Sequence, residues 1–268
     1  LNTSSHLCEL RSKKGDWIMI LVKRFLLMIQ FLTRIPLPVN LEVKTEDFGK
    51  GLVFAPLVGF ILGACLSASY YVLKLVFPVY VTIVFVMVIY IILTGGLHLD
   101  GLGDTFDGLL SNRPKERILE IMRDSRVGTN AVLAIICVLL INMGMLAAFS
   151  PEHMARILLL MPAAGRIGSL VSSGVSNYAR SGEGLGKSFI DYCGVKEIAA
   201  GAVIYLPLFY AVWGYRGLIA AAFLTASAFV LTKFFSRKIG GATGDILGAV
   251  CELNQTVFLI FAYILLKM

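Results

Sequence analysis

The chain contains seven apolar runs, most of them long enough to cross a membrane, and they limit its fold more than any other feature. A helix of about 20 apolar residues spans the hydrocarbon core of a bilayer. Lipid offers no hydrogen bonds to the backbone, so such runs fold as helices. The sequence therefore predicts an all-α fold, a polytopic membrane bundle of about seven transmembrane helices. The predicted spans are 54–77, 79–97, 129–149, 155–175, 198–213, 217–235 and 246–266.

The composition excludes an ordinary soluble domain. Hydrophobic residues make up 57% of the chain and charged residues 15%, whereas soluble domains carry about 25% charged residues. The five cysteines are scattered and form no C-x-x-C pair, which argues against a disulfide framework or a thiolate metal site. We expect one membrane-embedded domain over residues 17–268.

The region before the first predicted span has two parts. Residues 17–35 are apolar but interrupted by Lys23, Arg24 and Arg34, which favours an amphipathic helix lying in the membrane interface. The alternative is an imperfect first transmembrane helix. Residues 1–16 are polar and begin with Leu, so we expect an extra N-terminal segment without a function of its own.

Positive charge is unevenly distributed between the two sides of the predicted bundle. Of the 24 Lys and Arg residues, 19 lie before residue 54 or in 98–128, 176–197 and 233–245. The positive-inside rule places these segments, and the N-terminus, in the cytoplasm. The net charge of +7 then reflects membrane orientation, and no nucleic-acid partner is expected. We expect a multi-pass protein of the cytoplasmic membrane with its active site on the cytoplasmic side.

A cluster of aspartates follows the second predicted span, in the stretch GGLHLDGLGDTFDGL at 95–109. Asp100, Asp104 and Asp107 are spaced i, i+4 and i+7, which puts them on one face of a helix. Three like charges on one face repel each other, and a divalent cation neutralises them. Carboxylates without His or Cys partners favour Mg²⁺ or Mn²⁺ over zinc. The alternative without a functional role is a solvated loop in which Asp and Gly residues form turns.

Glycines and arginines near the aspartates suggest phosphate binding. Gly101 and Gly108 allow a ligand to approach the backbone closely. The next segment, RPKERILEIMRDSRVGT, supplies Arg117, Arg123 and Arg126, whose planar guanidinium groups suit phosphate oxygens. A surface helix with ordinary ion pairs is the alternative.

A third acidic stretch, GGATGDILGAVCELNQ at 240–255, opens the last predicted span. Asp245 and Glu252 are seven residues apart and share a helix face. Carboxylates that enter a membrane helix are costly and usually functional. Asp245 can meet the aspartate cluster, whereas Glu252 lies about two turns deeper. Alternatively, Thr243 or Asp245 caps the helix.

These stretches resemble the cobalamin synthase family, the membrane-embedded adenosylcobinamide-GDP ribazoletransferases. The resemblance extends from about residue 19 to the end of the chain. The segment Asp104-Thr-Phe-Asp107-Gly108 is also similar to the start of the D-x-x-D-G signature of CDP-alcohol phosphotransferases. The rest of that signature is missing, which argues against a phospholipid synthase. The matching stretches are IQFLTRIPLPV, FAPLVGFILGA, GGLHLDGLGDTFDGL, RILEIMRDSRVGTNAVLA and GGATGDILGAVCEL.

The resemblance implies a late step of cobalamin biosynthesis. Adenosylcobinamide-GDP, a corrinoid nucleotide, and α-ribazole or its 5′-phosphate condense to adenosylcobalamin or its 5′-phosphate, with release of GMP. We predict Asp100, Asp104 and Asp107 as ligands of Mg²⁺, with Mn²⁺ as a substitute. Asp124 or Asp245 completes the site, and one of these two can accept the proton of the attacking hydroxyl.

Two other functions stay open at this point. One is another membrane enzyme that resembles the CDP-alcohol phosphotransferases. The other is a cation-coupled transporter, whose site would lie near the middle of the bilayer. Only Glu252 and Arg166 are expected at that depth. A homo-oligomer, or a complex with other enzymes of the pathway, is a further expectation.

Overall fold

A computed structural model describes the backbone of residues 3–268 and the side chains from residue 17 onward. The described residues form helices and no strand, apart from an isolated parallel bridge between Tyr178 and Ala242. The helices are α1 Thr3–Leu32, α2 Thr45–Gly51, α3 Ala55–Leu73, α4 Val79–Thr94, α5 Leu97–Leu110, α6 Lys115–Ile121, α7 Thr129–Ala148, α8 Pro151–Gly174, α9 Leu185–Asp191, α10 Val195–Trp213, α11 Tyr215–Ser236 and α12 Gly244–Lys267.

The predicted helical membrane fold is confirmed. Six helices in the described part of the chain are long and apolar enough to cross a membrane, and α4 with α5 makes a seventh if the pair is counted as one span. Each of the seven predicted apolar runs falls on one of these helices. The chain is a multi-pass membrane protein.

The second predicted span, 79–97, differs from the structure at its end. Helix α4 stops at Thr94, and α5 leaves at 90° to it. Gly95 and Gly96 both have positive φ, 63° and 69°, a conformation that costs glycine little and other residues much. Helix α5 has 14 residues and three aspartates. We therefore assign α4 to the membrane and describe α5 as a helix that lies across the end of the bundle.

Helix α8 is the centre of the bundle. It packs against α3, α10, α11 and α12, and almost every residue from Leu158 to Ser173 is buried. Small side chains such as Ala163, Ala164 and Ser172 let the neighbouring backbones approach closely, as is usual between membrane helices. Helix α12 packs on α8 and also on α5. This arrangement places the start of α12 beside the aspartates of α5.

The predicted amphipathic segment 17–35 is helical up to Leu32. Its apolar residues 17–22 are exposed, whereas Met28 and Leu32 are buried. The buried carboxylate of Asp47 accepts hydrogen bonds from Lys23 Nζ at 2.6 Å and Arg24 Nε at 3.0 Å. The two cations that interrupt the apolar pattern therefore dock α1 onto α2.

Two predictions about the N-terminus stay predictions. One is the interfacial location of residues 17–35. The other is the extra segment 1–16, of which residues 1–2, and the side chains up to residue 16, lie outside the described residues. The backbone of α1 is continuous across the predicted boundary at residue 17.

Candidate active site

The aspartate helix α5 lies against the first turns of α7 and α12. At Gly101 an added Cβ would lie 2.8 Å from the backbone oxygen of Asp245, so only glycine allows this approach. The close contact brings Asp100, in the adjacent position, into one cavity with Asp245. The predicted meeting of the two acidic stretches is therefore present in the structure.

The shared cavity, called the central cavity below, has a volume of about 420 Å³. Its polar side contains two guanidinium groups and three carboxylates, from Arg123, Arg180, Asp100, Glu183 and Asp245. The remaining side is largely apolar. The lining residues used in the arguments below are Phe31, Leu32, Leu52, His98, Asp100, Gly101, Arg123, Ser169, Arg180, Leu185, Phe189 and Asp245.

Arg180 is held in the cavity by its partner and by the backbone. Its Nη2 donates to Asp245 Oδ2 at 2.7 Å and to the Met122 carbonyl at 3.3 Å. The loop that carries it is tied to the chain before α12 by Ala179 N donating to the Ala242 carbonyl at 2.9 Å. Its Nε is buried and has no partner among the described residues. Arg180 thus keeps one donor free for a ligand.

Thr243 and Asp245 have separate roles at the start of α12. The Thr243 hydroxyl accepts from Ile246 N at 3.3 Å and so caps the helix, as the capping alternative predicts for this residue. It also donates to Asp245 Oδ2 at 3.1 Å. Asp245 therefore points at the cavity instead of capping.

Asp104 shows the charge imbalance of the site. The residue is partly buried. Burial, followed by the nearby carboxylates of Asp100, Asp245 and Asp107, raises the pKa of Asp104 to about 7. Repulsion between these groups means that an added cation would be attracted to them.

Asp107 is used differently from its two neighbours on α5. Its carboxylate accepts from Gly128 N at 2.6 Å and from Ala131 N at 2.9 Å. It therefore caps the N-terminus of α7 from outside that helix, where the helix dipole favours negative charge. This contact gives Asp107 a structural task that its spacing did not indicate.

The spacing of the aspartates suits a cation that keeps several of its water ligands, and it does not suit a cation enclosed by protein ligands alone. Within residues 17–268, no three of them bring oxygens within 4.8 Å of one another. Magnesium is commonly bound by one or two carboxylates together with substrate phosphates. Asp100, Asp104 and Asp245 can supply such ligands, and the oxygen-only donor set fits Mg²⁺ or Mn²⁺.

A compact triplet of possible ligands does exist deeper in the bundle. It comprises His98, Cys251 and Glu252, all buried, with Cys251 Sγ 3.4 Å from His98 Nδ1. The buried Arg166 guanidinium lies in the same cluster, where it would repel a bound cation. A metal centre at this triplet is therefore disfavoured.

Glu252 is already bonded within a buried network. Its Oε1 accepts from Tyr90 OH at 2.6 Å and its Oε2 from Gln255 Nε2 at 3.0 Å. Arg166 Nη1 donates to Tyr90 OH at 3.4 Å. These four side chains are no more than 1% exposed. We call them the deep network; they do not line the central cavity.

The predicted arginines separate in the structure. Arg123 lines the central cavity, whereas Arg117 is exposed and donates to Glu120 at 2.6 Å. Arg126 is exposed too and pairs with Asp124 at 2.6 Å. Hydrogen bonds from Arg126 lower the pKa of Asp124 to about 2. The ion pairs of Arg117 and Arg126 match the surface-helix alternative.

The two predicted glycines also differ. Gly101 lines the cavity, whereas an added Cβ at Gly108 would meet Met122 Cγ at 2.5 Å. Gly108 therefore serves the packing of α5 on the segment that follows α6. The roles predicted for the aspartates, arginines and glycines remain predictions.

The sequence reasoning missed several residues of the cavity. Arg180 was counted only as one of many cationic loop residues, and its neighbours YARSGEG carry no phosphate-binding pattern. His98 is buried and lines the cavity as well. Phe31 and Phe189 come from segments far apart in the chain, so spacing alone could not bring them together.

Comparison with known proteins now supports an assignment. The family model described as cobalamin-5-phosphate synthase matches residues 24–263. This chain belongs to that family. Two relatives, both named adenosylcobinamide-GDP ribazoletransferase, are from Clostridium acetobutylicum and Acetivibrio thermocellus. They are 56% and 57% identical over 92% and 91% of this chain, and over 98% of each relative.

A more distant relative with the same name, from Thermoanaerobacter pseudethanolicus, is 39% identical over 89% of this chain and 96% of the relative. No solved structure matches the chain. The resemblance found in the sequence motifs is confirmed. As a member of the cobalamin-5-phosphate synthase family, the chain is a membrane enzyme of cobalamin biosynthesis.

Proposed function

We propose that the central cavity is where this enzyme joins adenosylcobinamide-GDP to α-ribazole, or to its 5′-phosphate, and releases GMP. The observation that carries this proposal is the meeting of Asp100 and Asp245 with Arg123 and Arg180 in one cavity. Carboxylates can hold a cation and a proton, and guanidinium groups can hold phosphate oxygens. A pyrophosphate substrate needs both.

The transfer requires one bond to form and one to break. A ribose hydroxyl oxygen of ribazole attacks the phosphorus on the cobinamide side of the pyrophosphate. The bond from that phosphorus to the bridging oxygen breaks, and GMP leaves with the bridging oxygen. Arg123 and the free Nε of Arg180 bind the phosphoryl oxygens and offset their charge. A cavity carboxylate, from Asp100 or Asp245, accepts the hydroxyl proton.

A magnesium ion, or manganese in its place, is the cofactor we propose for the site. Asp100, Asp104 and Asp245 would hold it, with Asp107 available if it releases its contacts to α7. When bound, the ion offsets negative charge on the pyrophosphate and on departing GMP. The support on the protein side is the group of carboxylates, which together with burial raises the pKa of Asp104 to about 7.

The side of the membrane is part of the proposal. The cavity is lined by parts of the cation-rich segments 98–128, 176–197 and 233–245, which favours the cytoplasmic side of the cell membrane. Nucleotide substrates would reach it from that side. Assembly with further copies or with other enzymes of the pathway is compatible with this arrangement.

The direct experiment measures GMP and corrinoid product with purified protein in lipid nanodiscs. Adenosylcobinamide-GDP and α-ribazole are supplied with Mg²⁺ or with a chelator. We expect equal amounts of GMP and corrinoid product with Mg²⁺ and neither with chelator. Well-folded protein that yields no GMP with any divalent metal would contradict the proposal.

Two variants compare the contribution of a cavity aspartate to GMP release with that of a surface aspartate. Asp100→Asn removes a cavity carboxylate and should reduce GMP release at least about 100-fold. Asp124→Asn removes an exposed, ion-paired carboxylate and should keep activity within about twofold. Equal losses in the two variants would place the chemistry elsewhere.

A further inference from the structure

The central cavity has two unlike walls, and phosphate chemistry uses only one of them. The polar wall comes from α5, α12, Arg123 and the loop before α9, which contributes Tyr178, Arg180 and Glu183. The other wall comes from α1, the turn after α2, and α9. Its five side chains are apolar and carry no hydrogen-bonding group; they are Phe31, Leu32, Leu52, Leu185 and Phe189. We call this surface the aromatic wall.

The aromatic wall is firmly built. The rings of Phe31 and Phe189 have centroids 4.9 Å apart at an angle of 43°. Phe48 packs edge-on against both, at 6.2 Å from Phe31 and 5.5 Å from Phe189, and does not itself line the cavity. Ser173 Oγ donates to the Phe189 carbonyl at 2.8 Å and so ties α9 to α8. The two lining rings are therefore fixed relative to each other and to α8.

The size of the cavity limits which part of the substrates can enter. A volume of about 420 Å³ suits a nucleoside with phosphate groups. A corrin macrocycle with its side chains is larger than this. The adenine of the adenosyl group is attached to that excluded corrin. Two flat groups then remain as occupants, the guanine of the GDP moiety and the dimethylated benzimidazole base of ribazole.

The apolar character of the aromatic wall favours one of these two bases over the other. Guanine carries several donors and acceptors on its edge, and burying them without partners is costly. The benzimidazole base, once joined to ribose, has one free ring nitrogen and two methyl groups. An apolar surface therefore binds the benzimidazole and disfavours guanine. Stacking on aromatic rings adds to this preference.

We propose that Phe31 and Phe189 bind the benzimidazole base of ribazole and thereby direct its ribose hydroxyl toward Asp100 and Asp245. This inference rests on the proposed function, because it assigns one substrate of that reaction to one wall of the cavity. The guanine of the other substrate then lies outside the aromatic wall.

The test varies each substrate separately in the GMP-release assay. Phe31→Leu keeps an apolar side chain but removes the ring. We expect a three- to tenfold rise in the KM for ribazole and a lower kcat, because the ribose hydroxyl is less well directed, with the KM for adenosylcobinamide-GDP unchanged within about twofold. The matched control is Phe48→Leu, which alters the same aromatic cluster behind the wall. Leucine still fills the space behind the two rings, so neither KM should change by more than about twofold.

Equilibrium dialysis of ribazole against the protein in nanodiscs, without the corrinoid substrate, gives a readout independent of turnover. Its Kd should rise by the same factor in Phe31→Leu and stay constant in Phe48→Leu. A raised KM for adenosylcobinamide-GDP alone would assign the wall to guanine and overturn the inference. Equal effects of the two variants, or none, would also overturn it.

The failure of this inference can be told apart from that of the proposed function. If wild-type protein releases GMP with ribazole but Phe31→Leu leaves Kd and both KM values unchanged, only the assignment of the wall is wrong. If wild-type protein transfers nothing, the proposed function itself is wrong.

Discussion

Helix α12 carries two carboxylates about two turns apart, Asp245 and Glu252. They differ in the charged and hydrogen-bonding groups that surround them. Glu252 accepts from Tyr90 and Gln255, and Arg166 lies beside it. Asp245 has one cationic partner, Arg180, but shares its surroundings with Asp100 and Asp104. The deep network is close to balanced, whereas the central cavity has an excess of negative charge.

This difference distinguishes charged residues that stabilise the fold of a membrane protein from charged residues that bind a ligand. A buried charge with an opposite charge beside it fixes the packing of helices, and removing one member destabilises the fold. A group of like charges is tolerated because a ligand completes it. Depth in the bilayer is therefore a weaker guide to the active site here than an excess of like charge.

The largest expected effect is on catalysis, from Asp245→Asn. The amide cannot carry the charge that attracts a cation, and it leaves Arg180 without its carboxylate. We expect GMP release to fall at least about 100-fold while the protein stays monodisperse in detergent. Asp191→Asn is the control, because it also removes an ion-paired aspartate but one outside the central cavity. An equal loss of GMP release in both variants would show that the effect is not specific to the central cavity.

The next effect is on stability, from Glu252→Leu. Arg166, which is linked to Glu252 through Tyr90, would be left buried without a nearby negative charge, and this costs about 3 kcal/mol of unfolding free energy. Activity per folded molecule should stay within about threefold of wild type. Thermal or denaturant unfolding in detergent measures the loss, and Arg166→Met combined with Glu252→Leu should recover part of it. Normal stability with abolished transfer would make the deep network catalytic.

A smaller effect is expected on the magnesium dependence. The pKa of Asp104 is raised to about 7, so this group is protonated below pH 7 and a cation must displace the proton. The Mg²⁺ concentration that gives half-maximal activity should rise about tenfold from pH 8 to pH 6. Asp104→Asn should weaken metal binding and flatten this dependence. A wild-type value independent of pH would show that Asp104 takes no part in metal binding.

The smallest effect is expected from Asp107→Asn. Its carboxylate caps α7, and an amide oxygen can still accept from a backbone N–H. We expect about 1 kcal/mol of lost stability and no more than a fivefold loss of activity. Unfolding in detergent and GMP release measure the two quantities. A loss of activity as large as that of Asp245→Asn would instead make Asp107 a metal ligand.

The sequence predicted the bundle well because membrane spans depend on local apolarity. All seven apolar runs are helices, and the motifs led to the correct family. The end of the second span was predicted too far along the chain. Consecutive glycines indicate backbone freedom, but only the tertiary structure shows that Gly95 and Gly96 use it to turn the helix by 90°.

The candidate site was less predictable, because helical spacing gives the face of a residue but not what lies opposite it. The spacing of Asp100, Asp104 and Asp107 gave three equivalent ligands, and the structure gives Asp107 a capping contact with α7. Arg180 carried no local signal, since its importance comes from the bridge between its loop and the start of α12.

The central claim is that the cavity, and not the deep network, binds the cation. Electron paramagnetic resonance of Mn²⁺ titrated into protein in nanodiscs, with adenosylcobinamide-GDP present, tests it directly. Wild type and Glu252→Gln should each bind one Mn²⁺ per chain, and Asp100→Asn and Asp245→Asn should weaken that binding at least about tenfold. Mn²⁺ binding that survives in both aspartate variants but is lost in Glu252→Gln would contradict the account.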